Sequence, residues 1–187
     1  MKHESYGGLV DLKALNKLVK TADPLVVGRD LWEGGTSIFY IASPYWVVRL
    51  RLPLECPTIA AIAKILGTIP EPGTALQCRP KGQPSAFDIE KLKETFRDTF
   101  YAECYDTMAS VELKDGREVR VFECHDHAVS EKCYITIDRE YFNMLSAFRA
   151  QAKKAHQFQP ILFTANYDEC AYIMPVSYNG TPSPYLI

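Results

Sequence analysis

The stretch FECHDHAVSEKC (residues 122–133) gathers two thiols, two imidazoles and acidic side chains in twelve positions. Those residue types hold zinc or carry acid–base and thiol chemistry. A zinc site needs four ligands converging tetrahedrally, and Cys124, His125, His127 and Cys133 are the candidates. The preceding EVRVFEC reads as a strand, in which alternate side chains share a face. His125 and His127 then point together and Cys124 points the other way, so the thiols have the wrong parity and no second ligand pair lies elsewhere. Neither Cys124 nor Cys133 abuts a helix start or a basic cluster that would lower a thiol pKa. The stretch reads as a strand end followed by a solvated connection, HDHAVSEK. A small metal-dependent enzyme built on these four residues is the third-ranked reading.

Other catalytic templates fail on the same kind of test. GRDLWEGGTS has the glycines and threonine of a phosphate-cradling loop but no lysine in place, and reads as a turn anchored by Trp32. No G-x-S-x-G elbow and no H-E-x-x-H pair occurs. The expectation is a protein without catalytic residues, metal or cofactor.

The elements around this stretch repeat. LVDLKALNKL (9–18) and TIDREYFNML (136–145) share an apolar residue, Asp, three residues, apolar, Asn, one residue, Leu. FDIEKLKETF is a weaker copy that keeps Asp88 and Leu92. Each Asp can cap the helix that follows by accepting from its unsatisfied first-turn N–H groups. Strand-like pairs accompany the copies: SIFYIA with WVVRLRLP, ASVEL with EVRVFEC across the hairpin signal Asp115-Gly116, and PILFTA with CAYIMPV. The predicted architecture is α+β: one domain over 1–187, made of strand-helix-hairpin modules at 9–53, 86–124 and 134–177. An antiparallel sheet would carry the helices on one face. An insertion at 54–85 opens with the amphipathic helix PTIAAIAKILG and then turns Pro/Gly-rich, predicting an exposed, irregular excursion. The tail 178–187 is punctuated the same way.

With 187 residues, 47% of them apolar and 24% charged, the chain has an ordinary globular composition. Six cysteines are spread without a C-x-x-C pair, and MKHESYGG lacks the apolar run of a secretion signal. No stretch has the length of about 20 apolar residues that a membrane span needs. These features predict a cytoplasmic protein with reduced thiols and no membrane partner.

The net charge of −2 excludes a bulk-basic nucleic-acid binder, so any electrostatic role needs segregated charge. The helix predicted from Asp11 carries Lys13, Lys17 and Lys20 on one side at i, i+4, i+7. The helix predicted over 138–156 carries Arg149, Lys153, Lys154 and His156, and each helix nets +2. The basic helical layer is the candidate surface for nucleic-acid phosphates, with Lys13, Lys17, Lys20, Arg149, Lys153 and Lys154 as its contacts.

From VELKDGREVRVFEC through KCYITIDREYFNMLSAF to QPILFTANYDECAYIMPV, the chain resembles the last half-domain of bacterial sliding clamps, the processivity subunit of the replicative DNA polymerase. Ile137-Asp138, Tyr141-Phe142, Pro160 and Met174-Pro175 fill that family's places over about 70 residues. The resemblance implies repeated strand-helix-sheet units whose helices turn Lys and Arg toward DNA. A clamp subunit has three complete domains, and 187 residues supply at most one and a half. The expectation is a small, non-enzymatic clamp-like protein, from a phage or other mobile element, acting on nucleic acid or on a replication or repair protein. The alternative is a mobile-element inhibitor of a host nucleic-acid-handling complex, of anti-CRISPR type. WVVRLRLP and CAYIMPV read as apolar edge strands. They predict a homodimer joined by strand pairing, with Tyr45, Trp46, Val47, Tyr172, Ile173 and Met174 at the contact.

Overall fold

The computed structural model describes residues 8–32, 36–79, 82–97, 100, 102–127, 130–165 and 169–176. In chain order its elements are α1 (Leu12–Thr21), β1 (Leu25–Leu31), β2 (Ser37–Ser43), β3 (Trp46–Leu52), α2 (Pro57–Leu66), β4 (Thr74–Cys78), β5 (Ser85–Phe87) and α3 (Ile89–Glu94). They continue with β6 (Ala102–Glu112), β7 (Glu118–Asp126), β8 (Glu131–Asp138), α4 (Arg139–Phe142), β9 (Arg149–Ala152), β10 (Ile161–Thr164) and β11 (Cys170–Ile173). The protein is α+β, and among the described residues eleven strands form one antiparallel sheet of order β5-β4-β1-β2-β3-β11-β10-β9-β6-β7-β8.

The helix starts follow the predicted capping chemistry. Asp11, Asp88 and Asp138 are all N-caps; the Asp11 carboxylate accepts from the N–H groups of Lys13 and Ala14 at 2.7 and 3.0 Å. Pro57 opens α2 and Gly67 closes it at φ 73°, a left-handed conformation that favours glycine. The Asp115-Gly116 turn joins β6 to β7, with Gly116 at φ 80°.

Strand alternation splits the core in two. Val27, Phe39, Ile41, Val48 and Leu50 face α1 and α2, where Leu15, Leu18, Ile59 and Ile62 are buried against them. Val26, Ile38, Tyr40, Ala42 and Val47 face the opposite way and are covered by Ile89 and Leu92 of α3. The helices therefore do not share one face: α3 lies across the sheet from α1 and α2. Gly28 permits this, because a Cβ there would stand 3.0 Å from Leu92 Cδ1 and 3.2 Å from Ile89 Cγ1.

The far half of the sheet curls. Val176, three residues past β11, donates to the Thr136 carbonyl of β8 at 2.8 Å, and Thr136 Oγ1 donates back to the Val176 carbonyl at 2.8 Å. Since β8 stands five places from β11 in the strand order, the intervening strands must wrap round to bring the two together. Phe122, Phe142, Phe148 and Phe163 fill the interior, with ring centroids 5.0–6.3 Å apart.

Several expectations are corrected. The helix predicted over 138–156 is one turn long, and Arg149 belongs to β9. Its continuation is prevented because residues 144–146 bond the N-terminal segment: Asp11 N–H donates to the Met144 carbonyl and Ser146 N–H to the Leu9 carbonyl, each at 2.7 Å. Those groups would otherwise serve the helix ladder. The segment 54–85 is no irregular excursion, since α2 is packed in the core and β4 extends the sheet beside β1. GRDLWEGGTS begins inside β1, and only Trp32 and 36–37 of its remainder lie outside that strand and within the described residues. WVVRLRLP and CAYIMPV are not edges. They are β3 and β11, paired with each other at the centre of the sheet, where Trp46, Val47, Tyr172 and Ile173 are buried. Tyr45 and Met174 remain exposed at the end of that seam, with Met174 N–H donating to the Tyr45 carbonyl at 2.9 Å.

The thiols also depart from expectation. Register places Cys104 of β6 directly opposite Cys124 of β7, with Cα atoms 4.1 Å apart, and the two form a disulfide. Cys133 of β8 is in turn opposite Cys124.

Candidate nucleic-acid interface

α1 is amphipathic by residue spacing. Leu15, Leu18 and Val19 are buried, and Lys13, Lys17 and Lys20 stand exposed on the other side. α2 packs alongside α1 on the same face of the sheet and adds Lys64, also exposed, in its last turn. Sequence reasoning missed Lys64, because only the folded chain brings the 54–85 segment beside α1. The four ammonium groups form no ion pair among the described residues.

Several cations elsewhere are instead held by carboxylates. Lys93 binds Asp30 and Glu90; Arg97 binds Glu90; Arg117 binds Asp115; Arg120 binds Asp106; Lys132 binds Glu123; Arg139 binds Glu118. None of these pairs involves a lysine of α1 or α2.

The six residues predicted as phosphate contacts are thus divided. Lys13, Lys17 and Lys20 lie together. Arg149, on the opposite face of the sheet, is paired with Glu103 at 2.5 Å, while Lys153 and Lys154 follow β9 in a bend. No common helix unites the two groups.

The 122–133 stretch does not converge. His125 and His127 share a face, with ring centroids 6.0 Å apart, as strand alternation predicts. Cys124 points into the core and is held in the disulfide, so the four residues cannot surround one ion. His125 instead contacts Glu123 at 2.5 Å, and Lys132 reaches the same carboxylate at 2.8 Å. Lys132 and then His125 hold the Glu123 carboxyl down to about 2. This is a surface ion-pair cluster on the sheet. Among the described residues no group of three His, Cys, Asp or Glu is placed to hold a metal ion. No helix among them is long and apolar enough to cross a membrane.

No protein-family model and no curated protein matches this chain.

Proposed function

We propose that the protein is a non-enzymatic binding protein with a clamp-like core, and that α1 and α2 present its surface for a nucleic-acid backbone. The observation that carries this reading is the set of four lysines on adjacent helices that have no carboxylate partner among the described residues, in a chain of net charge −2. An uncompensated cationic surface attracts phosphates and releases their counterions, whatever the base sequence.

The clamp-like element of the reading rests on topology. A helix followed by three strands occurs as α1-β1-β2-β3 and again as α4-β9-β10-β11, and the two series meet at β3 and β11. Both helices are capped by the matched aspartates, Asp11 and Asp138.

The test is fluorescence anisotropy with short duplex and single-stranded DNA at low salt, comparing the native protein with Lys13→Glu/Lys17→Glu/Lys20→Glu/Lys64→Glu. All four side chains are exposed, so the variant should fold, as circular dichroism would check. Binding is expected to be abolished. Native protein that binds neither DNA, or a variant that binds as well as native, overturns the reading.

A further inference from the structure

Three cysteines stand in one row across adjacent strands. Cys104 of β6 is paired with Cys124 of β7, and Cys124 with Cys133 of β8. Directly paired residues of an antiparallel sheet share a face, so the three side chains point to the same side, where each packs in or against the main core. Cys104 and Cys124 form the disulfide, while Cys133 retains its thiol and is half-buried.

The two pairings differ in kind. The Thr136 carbonyl of β8 turns away from β7 to accept from Val176 N–H, and the Val121 carbonyl of β7 turns toward β6 to accept from Thr107 Oγ1. Backbone groups alternate sides along a strand. Cys133, three residues before Thr136, therefore turns its N–H and C=O toward β7, and Cys124, three past Val121, turns its own toward β8. Cys124 and Cys133 are thus a hydrogen-bonded pair with Cα atoms about 5.5 Å apart, inside the span of ordinary disulfides. Cys104 and Cys133 stand two strand spacings apart, about 10 Å, which no disulfide bridges. Cys124 can bond either neighbour, and those neighbours cannot bond each other.

We propose that this row is a thiol–disulfide relay in which the bond to Cys124 passes between Cys104 and Cys133. The Cys133 thiol gives its proton to solvent and the thiolate attacks Cys124 Sγ. The Cys124–Cys133 bond forms as the Cys104–Cys124 bond breaks, and the leaving Cys104 thiolate takes up a proton. One disulfide and one thiol remain, so neither oxidant nor reductant is consumed. Displacement at sulfur proceeds in line, with entering and leaving atoms on opposite sides, and the row sets Cys133 and Cys104 that way about Cys124. The forward step moves the thiol from half-buried Cys133 to Cys104, which is only 6% exposed. A thiol within reach of reagents in solution is thereby exchanged for a sheltered one. None of the three residues belongs to α1 or α2, so the relay does not rest on the nucleic-acid reading.

Trypsin leaves the three cysteines in separate fragments, 98–114, 121–132 and 133–139, so each linkage has its own mass. The full chain carrying the Cys104–Cys124 bond is incubated at mildly alkaline pH without added thiol, quenched in acid, alkylated with N-ethylmaleimide in denaturant and digested. A Cys124–Cys133 linked pair of fragments is expected beside the Cys104–Cys124 pair, with Cys104 alkylated in proportion to it. Cys133→Ser, a small change at a half-buried side chain whose folding circular dichroism would check, should abolish Cys104 alkylation and leave the Cys104–Cys124 linkage alone. The proposal is overturned if native protein yields only the Cys104–Cys124 linkage, or if Cys133→Ser alkylates Cys104 as much as native. It is equally overturned by a Cys104–Cys133 linkage, or by linkage of Cys104 or Cys124 to Cys56, Cys78 or Cys170, because exchange would then not follow the row.

Discussion

Val48 of β3 and Ala171 of β11 are directly paired at the centre of the eleven-stranded sheet, and both are fully buried. Their pairing joins residues more than a hundred positions apart and uses up the N–H and C=O groups that apolar edge strands would have offered to another chain. The pairing expected between subunits is made within one.

This seam gives the first prediction. Ile173→Ala removes a buried side chain at the pairing with Trp46 and should cost about 2–5 kcal/mol of stability in urea denaturation. The loss should be the same at widely different protein concentrations. A concentration-dependent midpoint would instead place Ile173 between chains.

The second concerns salt. If Lys13, Lys17, Lys20 and Lys64 each meet one phosphate, the logarithm of the duplex association constant should fall with log salt at a slope of about −3.6. Replacing any one by Gln should make the slope shallower by about 0.9. A slope that stays unchanged in all four single variants sinks the assignment.

The third follows from Glu123. Lys132 and His125 depress its carboxyl from 4.5 to about 2 in the folded chain. A depressed folded value stabilises above the unfolded pKa, and that contribution is lost as pH falls from about 4.5 toward 2. Glu123→Gln should flatten the pH dependence of the urea midpoint in that window, and added salt should shrink the difference because the cluster is at the surface. Identical profiles for variant and native protein would refute the coupling.

The fourth concerns the disulfide. Cys104 and Cys124 close a loop of sequence separation 20, and cross-linking a loop of that size stabilises by about 3 kcal/mol in the chain-entropy account. Reductant should lower the denaturation midpoint of native protein and leave Cys104→Ser/Cys124→Ser unaffected. Peptide mapping without reduction should recover the two cysteines in one linked fragment.

Features that depend on neighbours in the chain were legible in the residues alone. Asp11, Asp88 and Asp138 cap helices because the side chain reaches N–H groups two or three residues on, and no distant partner is needed. Pro57, Gly67 and Asp115-Gly116 marked their turns for the same reason, and the alternation of β7 separated His125 from Cys124. The segments that became β2, β3, β7, β10 and β11 were legible from their apolar runs. So were the three lysines of α1.

Which strands meet is set by long-range packing. Ile38 and Ile161 look equivalent in IFYIA and ILFTA, yet Ile38 faces α3 and Ile161 faces the core on the other side, because register depends on pairing partners rather than on the run itself. Residues 143–156 have a helical pattern, but the bonds from Asp11 and Ser146 give their backbone other partners, so the basic stripe through Arg149 never forms. Lys64 joins α1 because α2 packs beside it, and Arg49 and Arg149, a hundred positions apart, line one cavity because β11 and β10 bridge their strands. These are contacts between residues distant in the chain, whose pairing is set by the packing of the whole sheet and leaves no local mark in the residues themselves.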